Sequence, residues 1–136
     1  MTRDYRLTTM GLTKINTSIA PWLTVKDSEK AAEFYKLAFD AIETYRLDIP
    51  GEPILRLSIN GAEFWIGGDS QRTGAASLGG DSVRMILSVP DPDPVFAKAL
   101  SAGATEIFAV HEDHGWRIGR IADPFGLHWE IGCPVE

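Results

Sequence analysis

Apolar and polar residues alternate along this chain in short runs, and the period of alternation changes from segment to segment. After a polar arm, Ser18 to Val25 has the two-residue period of a strand, with Leu23 and Val25 on one side and Ala20, Trp22 and Thr24 on the other. The period then lengthens. Ala31, Phe34, Tyr35 and Ala38 fall at i, i+3, i+4 and i+7, the spacing of one buried helical face, and Asp27 or Ser28 can cap it, so a helix is predicted over about residues 28–39. Ile42 to Asp48 alternates as a strand again, and Pro50-Gly51 marks a turn. Ile54 to Ile59 and Ala62 to Ile66 flank Asn60-Gly61, a two-residue hairpin signal. The first half reads β, α, β, β, β.

The second half repeats that order. Val83 to Val89 is strand-like, Asp91 to Pro94 offers a cap with proline in the first turn, and Val95, Phe96, Ala99 and Leu100 form a helical stripe that stops before Gly103. Thr105 to Val110, Trp116 to Ala122 and Leu127 to Ile131 predict three more strands, the last two joined across the tight turn Asp123-Pro-Phe-Gly126. Val25-x-Asp27 before the first helix is echoed by Val89-x-Asp91 before the second, and Phe39-Asp40-Ala41 by Ala102-Gly103-Ala104. The chain therefore reads as a tandem duplication: an arm at 1–15, then a single domain at 16–132. That domain comprises module one at 16–69, a Gly-, Ser- and Ala-rich linker at 70–81 and module two at 82–132.

Composition then removes whole classes of function. The 136 residues suit one domain with its own core. A formal charge of −6, with Lys and Arg scattered, lacks the clustered basic footprint that nucleic acid requires. There is no apolar run of about 18 residues and no signal-like N-terminal segment, so no membrane partner is expected and the location expected is cytoplasmic. Cys133 stands alone, without a disulfide partner or a neighbour that would activate its thiol. No Gly-x-Ser-x-Gly and no phosphate loop occur, and Gly67-Gly68 and Gly79-Gly80 lack the strand-to-helix context of a phosphate cradle.

Two βαβββ modules carrying Trp22-Leu-Thr-Val-Lys-Asp27, Ala32-Glu-Phe-Tyr-Lys-Leu-Ala-Phe39, Gly115-Trp-Arg-Ile-Gly-Arg-Ile-Ala-Asp-Pro-Phe-Gly126 and Trp129-Glu130 resemble the glyoxalase/bleomycin-resistance/dioxygenase (vicinal oxygen chelate) superfamily. The resemblance covers residues from about 16 to 132. Phe34-Tyr35 with Ala38-Phe39, and the Trp-Arg…Asp-Pro-Phe-Gly…Trp ending, are similar to the branch typified by the phosphonate-operon B protein. The resemblance implies an α+β fold in which the two tandem modules form a curled, cup-shaped mixed sheet with helices outside. It also implies a ligand or metal inside the cup, and a homodimer. In metal-dependent relatives each module typically supplies one His or Glu from its first strand and one from a later strand. Laid onto this sequence, those positions fall at Ala20, near Leu55, at Arg84 and at Glu130. No His or carboxylate lies between Ser18 and Val25, Ile54 and Ile59, or Val83 and Val89, so a slip in register does not restore the set.

His128 and Glu130 share one face of the last strand, with Leu127, Trp129 and Ile131 on the other, so both polar groups can look into the cup. A transition-metal site wants about three or more converging ligands. His128 and Glu130 are the only metal candidates, so no cofactor is expected and a divalent metal is the alternative. His111-Glu-Asp-His114 has a metal-like spacing but no second pair, and reads as a solvated acidic loop. Trp129 is expected in the core and Trp22 on the cup face. The expected ligand-binding set is Trp22, Leu55, Arg84, Trp116, Arg117, His128 and Glu130; no catalytic residue is identified. Since Arg84 and Glu130 would both point at the former metal centre, a guanidinium–carboxylate pair is expected there. Two classes of function stay open. One is a module that sequesters a small, partly planar organic molecule in the cup. The other is a lyase, isomerase or dioxygenase with a metal there, and the missing ligands favour the first.

Overall fold

The computed structural model describes residues 18–51, 53–69 and 83–135. The expected arm at 1–15 and linker at 70–81 lie outside the described residues. Module one contains β1 (Trp22–Val25), α1 (Ser28–Phe39), β2 (Ile42–Leu47), β3 (Ile54–Ile59) and β4 (Ala62–Gly68). Module two contains β5 (Met85–Ser88), α2 (Pro92–Ser101), β6 (Thr105–Asp113), β7 (Trp116–Ala122) and β8 (His128–Pro134).

Local chemistry accounts for the boundaries. Asp27 caps α1 by accepting the Lys30 N–H at 3.1 Å, and the helix ends where Asp40 turns left-handed at φ 56°. Pro92 opens α2, whereas Asp91 adopts the extended N-cap conformation without a side-chain capping bond. Asn60 and Gly61, at φ 51° and 98°, make the expected β3–β4 hairpin. His114 and Gly115 make a second one, at φ 52° and 83°, and this changes the reading of His111-Glu-Asp-His114. Given a tight turn at its end, β6 continues through Asp113 and pairs Glu112 with Arg117 and Asp113 with Trp116, so His111 to Asp113 are strand and not loop.

The strands form two four-stranded mixed sheets of the same design, β1-β4-β3-β2 and β5-β8-β7-β6. In each, the first pair is parallel and the other two are antiparallel. α1 lies on the face of sheet one that presents Leu23, Val25, Leu55, Leu57, Phe64 and Ile66, all buried. Arg46 of β2 reaches back to that helix, 2.7 Å from Glu29, while also pairing with Glu43 at 2.9 Å. α2 lies on β7, β6 and β8 and packs against α1. Phe64 of sheet one and Trp129 of sheet two meet directly, ring centres 5.5 Å apart, with Tyr35 of α1 at 5.3 and 5.4 Å from them. Both helix-covered faces thus contribute to one apolar core, and each sheet keeps its other face open. No helix among the described residues is long and apolar enough to cross a membrane.

Candidate functional site

The β7–β8 turn that presents the site is held from below by one carboxylate. Asp123 Oδ1 accepts the N–H groups of Phe125 and Leu127, both at 2.9 Å, and Oδ2 accepts the Tyr35 hydroxyl at 2.6 Å and the Trp129 indole N–H at 2.9 Å. Four donors satisfy a carboxylate that is only 4% exposed. Burial, together with the adjacent Asp123 carboxylate, pushes the Tyr35 phenol well above its ordinary pKa. Helix α1 is thereby locked to the turn between the strands that carry Arg120 and Glu130.

Those two side chains stand on the open face of sheet two, directly opposite each other across β7 and β8. The Glu130 carboxylate is largely buried; its Oε2 lies 2.9 Å from Arg84 Nε as an ion pair and accepts hydrogen bonds from Arg120 Nε at 3.0 Å and from Arg120 Nη2. Two guanidiniums therefore converge on a single oxygen. Arg120 in turn lies 5.4 Å over the Phe108 ring. Ile86, the register partner of Glu130 on β5, and Trp116 leave apolar surface exposed on the same side. His128 shares that face, its Nδ1 buried.

Sheet one carries a different open face. Trp22 and Trp65 stack with centroids 6.4 Å apart, Tyr45 meets Trp65 edge-on at 5.6 Å, and the Arg56 guanidinium lies 5.3 Å over Trp65 and 5.9 Å over Tyr45. Gly67 makes room for this array, because a Cβ there would fall 2.3 Å from the Trp22 ring. A register shift between Glu43 and Tyr45 turns Tyr45 toward Arg56 and leaves Glu43 on the helix side.

Of the expected set, Trp22 lies on the open face of sheet one, and Arg84, Trp116, His128 and Glu130 lie on the open side of sheet two. The Arg84–Glu130 pair is formed. Leu55 does not belong with them: it is fully buried beneath α1, because its strand alternates Leu55, Leu57 and Ile59 inward. Arg117 is corrected as well. It alternates with Arg120's face and reaches α2 instead, pairing with Asp93 at 2.6 and 2.7 Å and holding that carboxyl below its usual range. Ala20 is exposed and precedes β1. Arg120, Arg56, Trp65 and Tyr45 went unassigned in the sequence. The signal for Arg120 was alternation with Ile118 and Ala122 in a strand adjoining Glu130, and for Trp65 alternation with Phe64 and Ile66.

A divalent cation does not fit this donor set. Glu130 is already the acceptor for two cations, and among the described residues no group of three or more His, Cys, Asp or Glu side chains could hold a metal. A cleft of about 230 Å³ at the module junction, lined by Phe39, Ile59, Leu87 and Val95 beneath the Lys98–Asp40 pair, lies apart from both open faces.

No family model matches the sequence. Among solved structures the fold is similar to the fosfomycin resistance protein FosX from Listeria monocytogenes, at 15% identity and TM-score 0.69 over 90% of this chain and 96% of that one. It is similar to the PhnB protein from Bacillus cereus, at 16% and 0.68 over 86% and 99%. It is likewise similar to a glyoxalase-related enzyme from Fulvimarina pelagi, at 21% and 0.67 over 87% and 88%. The chain thus shares the fold of these proteins. In sequence it is 40% identical over 132 residues to the uncharacterized protein Mb0911c of Mycobacterium bovis, a match spanning 90% of this chain and 86% of that protein.

Proposed function

We propose that the protein binds a small, partly planar organic molecule at the open faces of its sheets, without a resident metal, and that it does so as a homodimer. The observation that carries this reading is the aromatic array of sheet one. Trp22 is 51% exposed and Tyr45 44% exposed, and both stand beside Trp65 with a guanidinium laid over the rings. A concentrated patch of this kind is a recognition surface more than a solvated one. Each sheet is covered by a helix on one face and left open on the other, so one chain does not close a cup on its own. A cup that encloses a ligand is therefore completed by a second copy, sheet one of one chain facing sheet two of its partner. FosX, a fosfomycin resistance protein, supports a small-molecule role for such a fold, though its likeness to this chain is one of fold alone.

The test joins metal analysis, sedimentation and titration of planar aromatic compounds followed by tryptophan fluorescence. Substoichiometric metal, a species of twice 14.9 kDa and saturable binding are expected. Gly67→Ala should displace the half-exposed Trp22 ring, with little effect on folding, and weaken binding up to about tenfold, the value of one lost ring contact. Stoichiometric zinc, nickel, manganese or iron in active protein, or a monomer at micromolar concentration, would overturn the proposal.

A further inference from the structure

We infer that the Arg84–Glu130–Arg120 cluster is a carboxylate-recognition site, so that the molecule bound at the open face of sheet two is an organic anion with an apolar body. The inference rests on the small-molecule reading above and specifies its ligand. Arg120 alone gives Glu130 Oε2 two N–H donors, and Arg84, from the far side of β8, brings a second guanidinium to the same oxygen. A guanidinium fork matches two acceptor oxygens, and here the Arg120 fork shares one oxygen with Arg84 Nε. Like charges held this close repel. An entering carboxylate offers two further acceptor oxygens and lets the guanidiniums divide between two anions. The neighbours suit the rest of such a molecule: Ile86 is 56% exposed beside Glu130, Phe108 lies beneath Arg120, and Trp116 stands exposed on the same strand as Arg120.

The Glu130 carboxylate is then an internal competitor for the ligand, a role that a purely structural ion pair would not have. The experiment compares 2-naphthoate with its uncharged analogue 2-naphthamide by isothermal titration calorimetry, on the wild-type protein and on Glu130→Gln, Arg120→Gln and Arg84→Gln, with circular dichroism of each. Naphthoate is expected to bind the wild type at least about tenfold more tightly than naphthamide, the worth of one charge-assisted contact. Glu130→Gln should tighten naphthoate about tenfold further and leave naphthamide unchanged, and Arg120→Gln should erase the preference for the acid. If Glu130→Gln does not fold, Arg84→Gln still decides: the preference should fall about tenfold. Equal binding of acid and amide by the wild type and by Glu130→Gln overturns the inference while leaving small-molecule binding standing. Binding of neither compound also overturns it, and the titrations at the Trp22 face then judge the proposed function separately.

Discussion

The buried Asp123 junction gives the most stringent test of how the two modules are held. Tyr35→Phe removes one O–H donor from a carboxylate that keeps Trp129, Phe125 and Leu127, with no cavity larger than an oxygen. A hydrogen bond to a charged group contributes about 1.5–3 kcal/mol, so a loss of about 2 kcal/mol is expected. Asp123→Asn preserves volume but replaces one acceptor with a donor. Turned toward Phe125 and Leu127, the amide NH₂ meets two backbone N–H groups. Turned the other way it meets the Trp129 indole N–H and the Tyr35 hydroxyl, and only the hydroxyl can rotate to accept. The second placement strands one indole donor and reduces two charge-assisted backbone bonds to neutral ones, for a cost of about 3–4 kcal/mol. In that background Tyr35→Phe removes only a neutral bond, worth about 1 kcal/mol, so the double variant should be less destabilised than the sum by about 1 kcal/mol. Against a total stability of about 5–15 kcal/mol the single variants remain foldable. Urea unfolding followed by tryptophan fluorescence, at constant m-value, measures all four species. Asp123→Asn costing less than Tyr35→Phe, or strict additivity, would refute the four-donor account.

Two further outcomes follow from neighbouring features. Because the folded state holds the Tyr35 phenol above its ordinary pKa, the unfolded chain ionises first, at about pH 10, and binds fewer protons than the native state. The contribution is complete below that pH and is lost as pH rises toward the folded value, at about 1.4 kcal/mol per pH unit; Tyr35→Phe should remove this part of the slope, and parallel stability curves between about pH 9 and 11 would contradict it. Gly119→Ala would bring a Cβ within 2.7 Å of Phe96 Cε1 and 2.9 Å of Val110 Cγ2, next to a ring that is 6% exposed. With nowhere for Phe96 to go, a cost of about 1–3 kcal/mol is expected, and a wild-type urea midpoint for this variant would show that α2 can lift off β7.

What was legible in the sequence was local. Leu23 and Val25 announce the covered face of β1, Asn60-Gly61 the β3–β4 hairpin, and Ala31, Phe34, Tyr35 and Ala38 the buried side of α1, because period and turn chemistry act over a few residues. The His114-Gly115 hairpin escaped because His is an uncommon residue at positive φ, so the strand before it was cut short at Val110. Tyr45 escaped because the shift after Glu43 breaks the alternation that would have placed it. Leu55 was assigned by analogy with a metal ligand against the alternation of its own strand, and that alternation was the sounder guide. The link between Tyr35 and Asp123 spans 88 positions, and no pattern within either segment specifies it. The direction in which each open face looks depends on that long-range packing.

The two faces of each strand therefore carry separate burdens, and residue type does not tell them apart. Arg117 and Arg120 are identical side chains three positions apart on β7, yet one pins α2 through Asp93 and the other serves Glu130 on the opposite surface. Gly67 and Gly119 likewise both admit an aromatic ring against the backbone: at Gly67 the ring belongs to Trp22 on the open side, and at Gly119 to Phe96 in the core. A Cβ at Gly67 meets a side chain with solvent to move into, whereas a Cβ at Gly119 meets one held by close-packed neighbours. Position on the pleat, set by register across β3–β4 and β7–β8, decides whether a substitution is felt in the core or on the open face. The open faces are thereby free to vary in side-chain chemistry, carrying aromatic rings on sheet one and paired guanidiniums on sheet two, while the helix-covered faces specify the core.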